Sequence, residues 1–120
     1  MNVQEKYQRL EDTVRQYNPG ANFDLIHAAF VYAEAHHRGQ NRKDGSPFIT
    51  HPLAVAQIVA QELHLDSESI AAALLHDTIE DTDATHEDIA RTFSPTIADI
   101  VEGVSKLTRV QAASKAEEQM

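Results

Sequence analysis

The 120-residue sequence has no cysteine, which excludes disulfides, thiolate zinc sites and cysteine nucleophiles together. Glycine and proline number four each, so breaks are few, and the apolar spacing between them is helical. No apolar run approaches the roughly 20 residues that span a bilayer. Gln4, Glu5 and Lys6 interrupt any signal-peptide pattern at the start. Neither G-x-x-x-x-G-K-S/T nor G-x-G-x-x-G occurs, which removes P-loop and Rossmann nucleotide sites. No segment alternates like a half-buried strand, and there is no internal repeat or low-complexity tract. The expectation is a soluble, cytoplasmic, all-α domain.

Lysine and arginine are also missing from 62–90, where nine acids fall: Glu62, Asp66, Glu68, Asp77, Glu80, Asp81, Asp83, Glu87 and Asp88. The chain carries a net charge of −9, and outside this block acids and bases balance. The block repels nucleic-acid backbones and so disfavours duplex binding as a main role. It is either a solvated acidic face or a place where divalent cations collect.

What is present reads as a series of helices. Asn2 to Gln16 is amphipathic, with Val3, Tyr7, Leu10 and Val14 on one stripe, and Asn18-Pro19-Gly20 stops it. A second helix runs from about Asp24 to Arg38, with Leu25, Ala28, Ala29, Tyr32 and Ala33 repeating at three and four. Gly39 to Pro47 is dense in turn residues. His51-Pro52 opens a third helix with the stripe Val55, Ala56, Val59 and Leu63. Asp66 or Ser67 caps a fourth, Glu68 to about Ile79, whose run Ile70 to Leu75 is apolar nearly all round and belongs at the centre. Thr85 and Asp88 resemble a capping box for a short fifth helix ending at Phe93. Ser94-Pro95 starts a sixth, carrying Ile97, Ile100, Val101 and Val104, and a further helix is expected to begin in the polar tail, Arg109 to Met120.

The chemistry concentrates in Leu74-Leu75-His76-Asp77-Thr78-Ile79-Glu80-Asp81-Thr82. If the fourth helix continues through it, His76/Glu80 and Asp77/Asp81 are each four apart and share a helix surface. Three carboxylates near a helix C-terminus repel one another and oppose the dipole. A bound divalent cation reverses the sign of each of these effects. An imidazole beside a carboxylate suits Mn²⁺, Fe²⁺, Co²⁺ or Zn²⁺. A further ligand must come from elsewhere, and His51, at the start of the preceding long helix, is the best candidate. His27, His36, His37, His64 and His86 lack this context and receive no role; His36-His37 is expected to be solvated. Arg38, Arg42 and Lys43 gather positive charge in the loop before His51, where a phosphorylated substrate could bridge loop and cation.

His51 followed by His76-Asp77 resembles the HD-domain metal phosphohydrolases. The strings Gln40-Asn41-Arg42-Lys43-Asp44-Gly45-Ser46-Pro47-Phe48-Ile49-Thr50-His51-Pro52-Leu53, Ala72-Ala73-Leu74-Leu75-His76-Asp77-Thr78-Ile79-Glu80-Asp81-Thr82 and Val101-Glu102-Gly103-Val104-Ser105-Lys106-Leu107 narrow the likeness. Together they are similar to the hydrolase domain of RelA/SpoT-type enzymes, which make and degrade the alarmone (p)ppGpp in the stringent response. The resemblance implies an all-helical HD bundle of about six helices and a 3′-pyrophosphohydrolase using Mn²⁺. It implies His51, His76 and Asp77 as metal ligands, Glu80 and Asp81 to orient and deprotonate the attacking water, and Arg42 and Lys43 against the guanine and its phosphates. It divides the chain into a helix and turn (1–22), the hydrolase domain (23–108) and the start of a further helix (109–120). The family's fourth ligand, an aspartate on a later helix, has no match after Leu107. The expectation is therefore an N-terminal piece of a longer enzyme, self-associating through uncovered apolar surface. An HD hydrolase of another nucleotide, or a helical module acting by binding or regulation alone, fits the same residues.

Overall fold

The structure, a computed structural model, describes the backbone of residues 1–118 and the side chains of residues 1–106. Among the described residues there are seven helices and no strand: α1 (Val3–Tyr17), α2 (Phe23–His36), α3 (Thr50–Leu63), α4 (Ser67–Leu75), α5 (Thr78–Asp81), α6 (His86–Thr92) and α7 (Pro95–Glu118). The all-α expectation holds. No described helix is long and apolar enough to cross a membrane.

Helix starts follow side-chain caps, which satisfy amides that have no partner inside the helix. Asn2 accepts from the Glu5 amide and Glu5 reciprocates on the Asn2 amide, a capping box. Asn22 accepts from Leu25 and Asp66 from Ser69. Thr85 and Asp88 form the second capping box, as their spacing suggests. The α3 start is different. Ile49 makes no side-chain cap, and the Thr50 hydroxyl instead donates to the Pro47 carbonyl at 2.7 Å. Pro52 is the third residue of α3, where a missing N–H costs nothing.

The α4 helix is the hub. It packs against α2, α3 and α7, and Ile70, Ala71, Ala72, Leu74 and Leu75 are all buried. Alanine on its surface lets neighbouring backbones approach closely. Around it, α1 lies on α3 and α6 lies on α7. Tyr7, Leu10 and Val14 supply the buried stripe of α1 as expected.

Three stripes turn by a position. In α2 the buried residues are Ile26, Ala29, Phe30 and Ala33, while Ala28 is exposed. Leu63 at the end of α3 is 63% exposed, and Val104 of α7 is 42% exposed. In α3 the inward residues are Pro52, Leu53, Ala56 and Ala60. Small alanines take positions that hydrophobicity alone gives to larger neighbours, because close helix packing favours them there.

The fourth helix does not continue to Ile79. It ends at Leu75, and His76 and Asp77 form a turn before the single-turn α5. The break has a local cause. The buried Thr78 hydroxyl donates to the Leu75 carbonyl at 2.7 Å, taking an acceptor that a continuing helix would need. Asp77 sits at φ −92, ψ −6, in the bridge region. Thr82 closes α5 by donating from its hydroxyl to the Thr78 carbonyl at 2.6 Å. Farther on, α7 runs unbroken from Pro95 to Glu118, so the backbone shows no new helix starting at 109. The side chains of that tail, and the backbone of 119–120, lie outside the described residues.

Candidate metal centre

The turn after α4 presents His76 and Asp77 toward the first turn of α3, which carries His51. The Nδ1 of His76 lies 2.6 Å from the Ala73 carbonyl oxygen. A carbonyl only accepts, so Nδ1 carries a proton, and Nε2 is the ring nitrogen turned toward the site. That Nε2 is 3.2 Å from Oδ2 of Asp77. The Nε2 of His51 is 3.4 Å from the same oxygen, and the two imidazole centroids are 5.6 Å apart. Asp77 occupies the N-cap position of α5 but makes no capping hydrogen bond. Its carboxylate faces the imidazoles instead.

One polar atom of this trio is left unsatisfied. Oδ2 of Asp77 is buried and has no hydrogen-bond partner among the described residues, and a buried acceptor without a donor costs about 1–3 kcal/mol. Burial holds His51 below the usual imidazole range; Asp77 opposes this, and His76 and Arg42 reinforce it. The donors nonetheless suit a metal ion, since one atom from each residue lies within 4.8 Å of the others. Ligands about 2.1 Å from one ion stand about 3.0–3.4 Å apart at right-angle to tetrahedral geometry. Neutral imidazole nitrogen with carboxylate oxygen is a borderline transition-metal donor set.

The two other acids have different surroundings. Asp81 lies in α5, one turn beyond Asp77. Its carboxyl is raised above the usual range by partial burial first, then by the Asp77 and Glu80 carboxylates, while His37 and His76 draw it down. Glu80 points toward α7, where the buried Ser105 hydroxyl donates to Glu80 Oε1 at 2.8 Å. Asp81 therefore shares the field of the trio, and Glu80 also links α5 to the helix behind it.

The loop before α3 faces the same space. The Arg42 amide donates to the Ser46 carbonyl at 2.8 Å and the Gly45 amide to the Arg42 carbonyl at 2.9 Å. Gly45, at φ 89, takes the left-handed conformation that closes this turn. Asp44 accepts from the amide and hydroxyl of Ser46, which holds its carboxyl below the usual range. A cavity of about 690 Å³ is lined by Asn41, Arg42, Lys43, Asp44, Phe48, His51 and Asp77. Two cations and two of the trio thus open on one hollow. Arg38 is not part of it; its guanidinium pairs with Glu34 at 2.9 Å.

One histidine departs from expectation. His37 is 2% exposed rather than solvated, stacked on Phe48 with centroids 4.5 Å apart. A signal for this lay in the sequence, since His37 follows Ala33 by four and so extends the buried stripe of α2. His86, given no role, joins α6 to α7 through Asp99 at 2.8 Å.

Comparison with known proteins places the chain in a family. The HD-domain family model matches residues 29–120. The chain is 47% identical over 106 residues to a GTP pyrophosphokinase rsh of Brucella melitensis, covering 88% of this chain and 14% of that protein. It is 43% identical over 113 residues to the bifunctional (p)ppGpp synthase/hydrolase SpoT of Escherichia coli K12, covering 94% of this chain and 16% of that one. A guanosine-3′,5′-bis(diphosphate) 3′-pyrophosphohydrolase of E. coli O157:H7 matches to the same extent. The chain spans about one-seventh of the length of these curated relatives. With the family model matched over most of the sequence and relatives more than 40% identical, the chain belongs to the HD-domain family.

Proposed function

We propose that this chain carries a metal-dependent (p)ppGpp 3′-pyrophosphohydrolase site, with residues 23–108 as the hydrolase domain. The observation that supports it most is the unpartnered Asp77 oxygen between two imidazole nitrogens, on a cavity that also holds Arg42 and Lys43. His51, His76 and Asp77 would hold Mn²⁺ or a similar ion. Such an ion, when bound, polarises phosphoryl oxygen and lowers the pKa of water. Arg42 offers a planar fork and Lys43 a point charge to the phosphates and base of the nucleotide. Asp81 takes the proton from the attacking water; a carboxyl raised toward the working pH is the better base for this. Glu80 orients that water while anchored to Ser105. Water adds across the bond between the 3′ oxygen and phosphorus, and the 3′ hydroxyl and pyrophosphate result. On this reading the chain works on a soluble nucleotide of the bacterial cytoplasm, in the stringent response.

Incubation with ppGpp and Mn²⁺ tests the reading. Pyrophosphate release should fall about 10²–10⁴-fold in Asp81→Asn, the usual worth of a general base, with Mn²⁺ affinity retained. No release from the parent chain, or equal turnover of ordinary nucleotides, would overturn the substrate assignment. Metal affinity should also depend on pH with a definite sign. Protons compete for the ligands, and His51 is held below the usual imidazole range. As the pH is lowered, the loss of affinity due to His51 should therefore begin below the usual imidazole range and then amount to about tenfold per unit. Calorimetry at a series of pH values reads this directly.

A further inference from the structure

The geometry points to His37 and Gln40 as positioning residues that tie the cationic loop to Asp81 across the rim of the site. The inference rests on the hydrolase reading for its kinetic consequences but not for its geometry. Asp81's backbone carbonyl lies 2.7 Å from the Gln40 side-chain nitrogen. A carbonyl only accepts, so Gln40 must turn its NH₂ to Asp81 and its Oε1 the other way. There Oε1 meets Nδ1 of His37 at 3.1 Å. Because Oε1 cannot donate, Nδ1 carries the proton, and the direction of the whole chain is fixed: His37 donates to Gln40, and Gln40 donates to Asp81.

Gln40 is held from its main chain as well. Its amide donates to the His37 carbonyl and its carbonyl accepts from the Phe48 amide, both at 3.0 Å. Phe48 stacks on His37 and meets His51 edge-on at 6.1 Å between centroids. Two residues beyond Gln40 stands Arg42. One side chain therefore sets the start of the cationic turn against the main chain of the proposed base, 41 positions away in sequence.

The choice of histidine at 37 needs this explanation. The ring is buried at the end of the apolar stripe of α2, and its Nε2 is buried without a partner among the described residues. Phenylalanine would fill that space and keep the stack without stranding a nitrogen. What phenylalanine lacks is the Nδ1–H donor.

Three variants separate positioning from packing. His37→Phe keeps the ring and removes the donor. His37→Asn loses the ring and places an amide nitrogen near the Nδ1 position. Gln40→Ala removes the bridge. With ppGpp and Mn²⁺, His37→Phe and Gln40→Ala should each lower kcat by about 10- to 100-fold, the cost of a small misplacement. KM and Mn²⁺ affinity should stay within about twofold. The double variant should be no slower than Gln40→Ala alone, because both changes cut one chain of bonds. His37→Asn should recover much of kcat although it packs worse. A full kcat in His37→Phe, losses that multiply in the double variant, or a kcat that simply follows melting temperature would overturn the inference. A second readout is independent of hydrolysis. The Gln40 side-chain NH₂ protons should exchange slowly with solvent in the parent chain and in His37→Asn, and faster in His37→Phe. Slow exchange throughout would overturn the positioning role even if hydrolysis is observed; faster exchange in a chain that hydrolyses nothing would uphold it and sink the substrate reading alone.

Discussion

Asp77→Asn should abolish divalent-metal binding and at the same time stabilise the metal-free chain. The two effects have one origin. In the parent chain a buried carboxylate oxygen lies 3.2 and 3.4 Å from two imidazole nitrogens and takes no hydrogen bond from either. The asparagine amide has the same shape, loses the charge and can turn its NH₂ toward His76 Nε2, so that the buried position gains a hydrogen bond. Relieving an unsatisfied buried acceptor is worth about 1–2 kcal/mol. The same NH₂ cannot ligate a cation. Because changes in the outer partners of metal ligands already cost about 10–100-fold in affinity, loss of a charged ligand should exceed about 100-fold. Urea unfolding without metal and titration with Mn²⁺ measure the two halves. An Asp77→Asn chain that is less stable and binds metal normally would mean the carboxylate serves the fold, not an ion.

The second large effect is on stability alone. Leu74→Ala should destabilise the chain by about 2–5 kcal/mol, the usual range for a fully buried leucine. Leu74 is 0% exposed on the helix that touches α2, α3 and α7, so the space it leaves is walled by three elements that cannot all collapse into it. Against a typical total of about 5–15 kcal/mol, this is a large fraction. The urea midpoint should fall with an unchanged slope. A loss under about 1 kcal/mol would show that α4 is not the packed centre on which the His76-Asp77 turn depends.

Much of this was legible in the sequence where a local rule and the tertiary structure agree. The run from Ile70 to Leu75 has no polar face to expose, so it had to be central. Thr85 and Asp88 announce a capping box by spacing alone, and His76-Asp77 with His51 announces by its donor types the trio that the structure gathers. The end of α4 was not legible in the same way. No glycine or proline marks it; a threonine hydroxyl turned back on the Leu75 carbonyl makes the break. The positions of Leu63 and Val104 depend on which small residues let helices approach, which periodicity does not weigh. Glu80's bond to Ser105 joins residues 25 apart on different helices, and no local pattern encodes it. His37 is the instructive case. Its place on the α2 stripe was visible, but the habit of treating a histidine at a helix end as solvated concealed it.

The central claim is that His51, His76 and Asp77 bind one divalent metal ion. Calorimetric titration of the chain with Mn²⁺ at neutral pH, alongside His76→Ala, tests it most directly. Binding should saturate at one ion per chain and be lost in His76→Ala while helical content is unchanged. Absence of saturable heat in the parent chain, or equal binding by the variant, would contradict it.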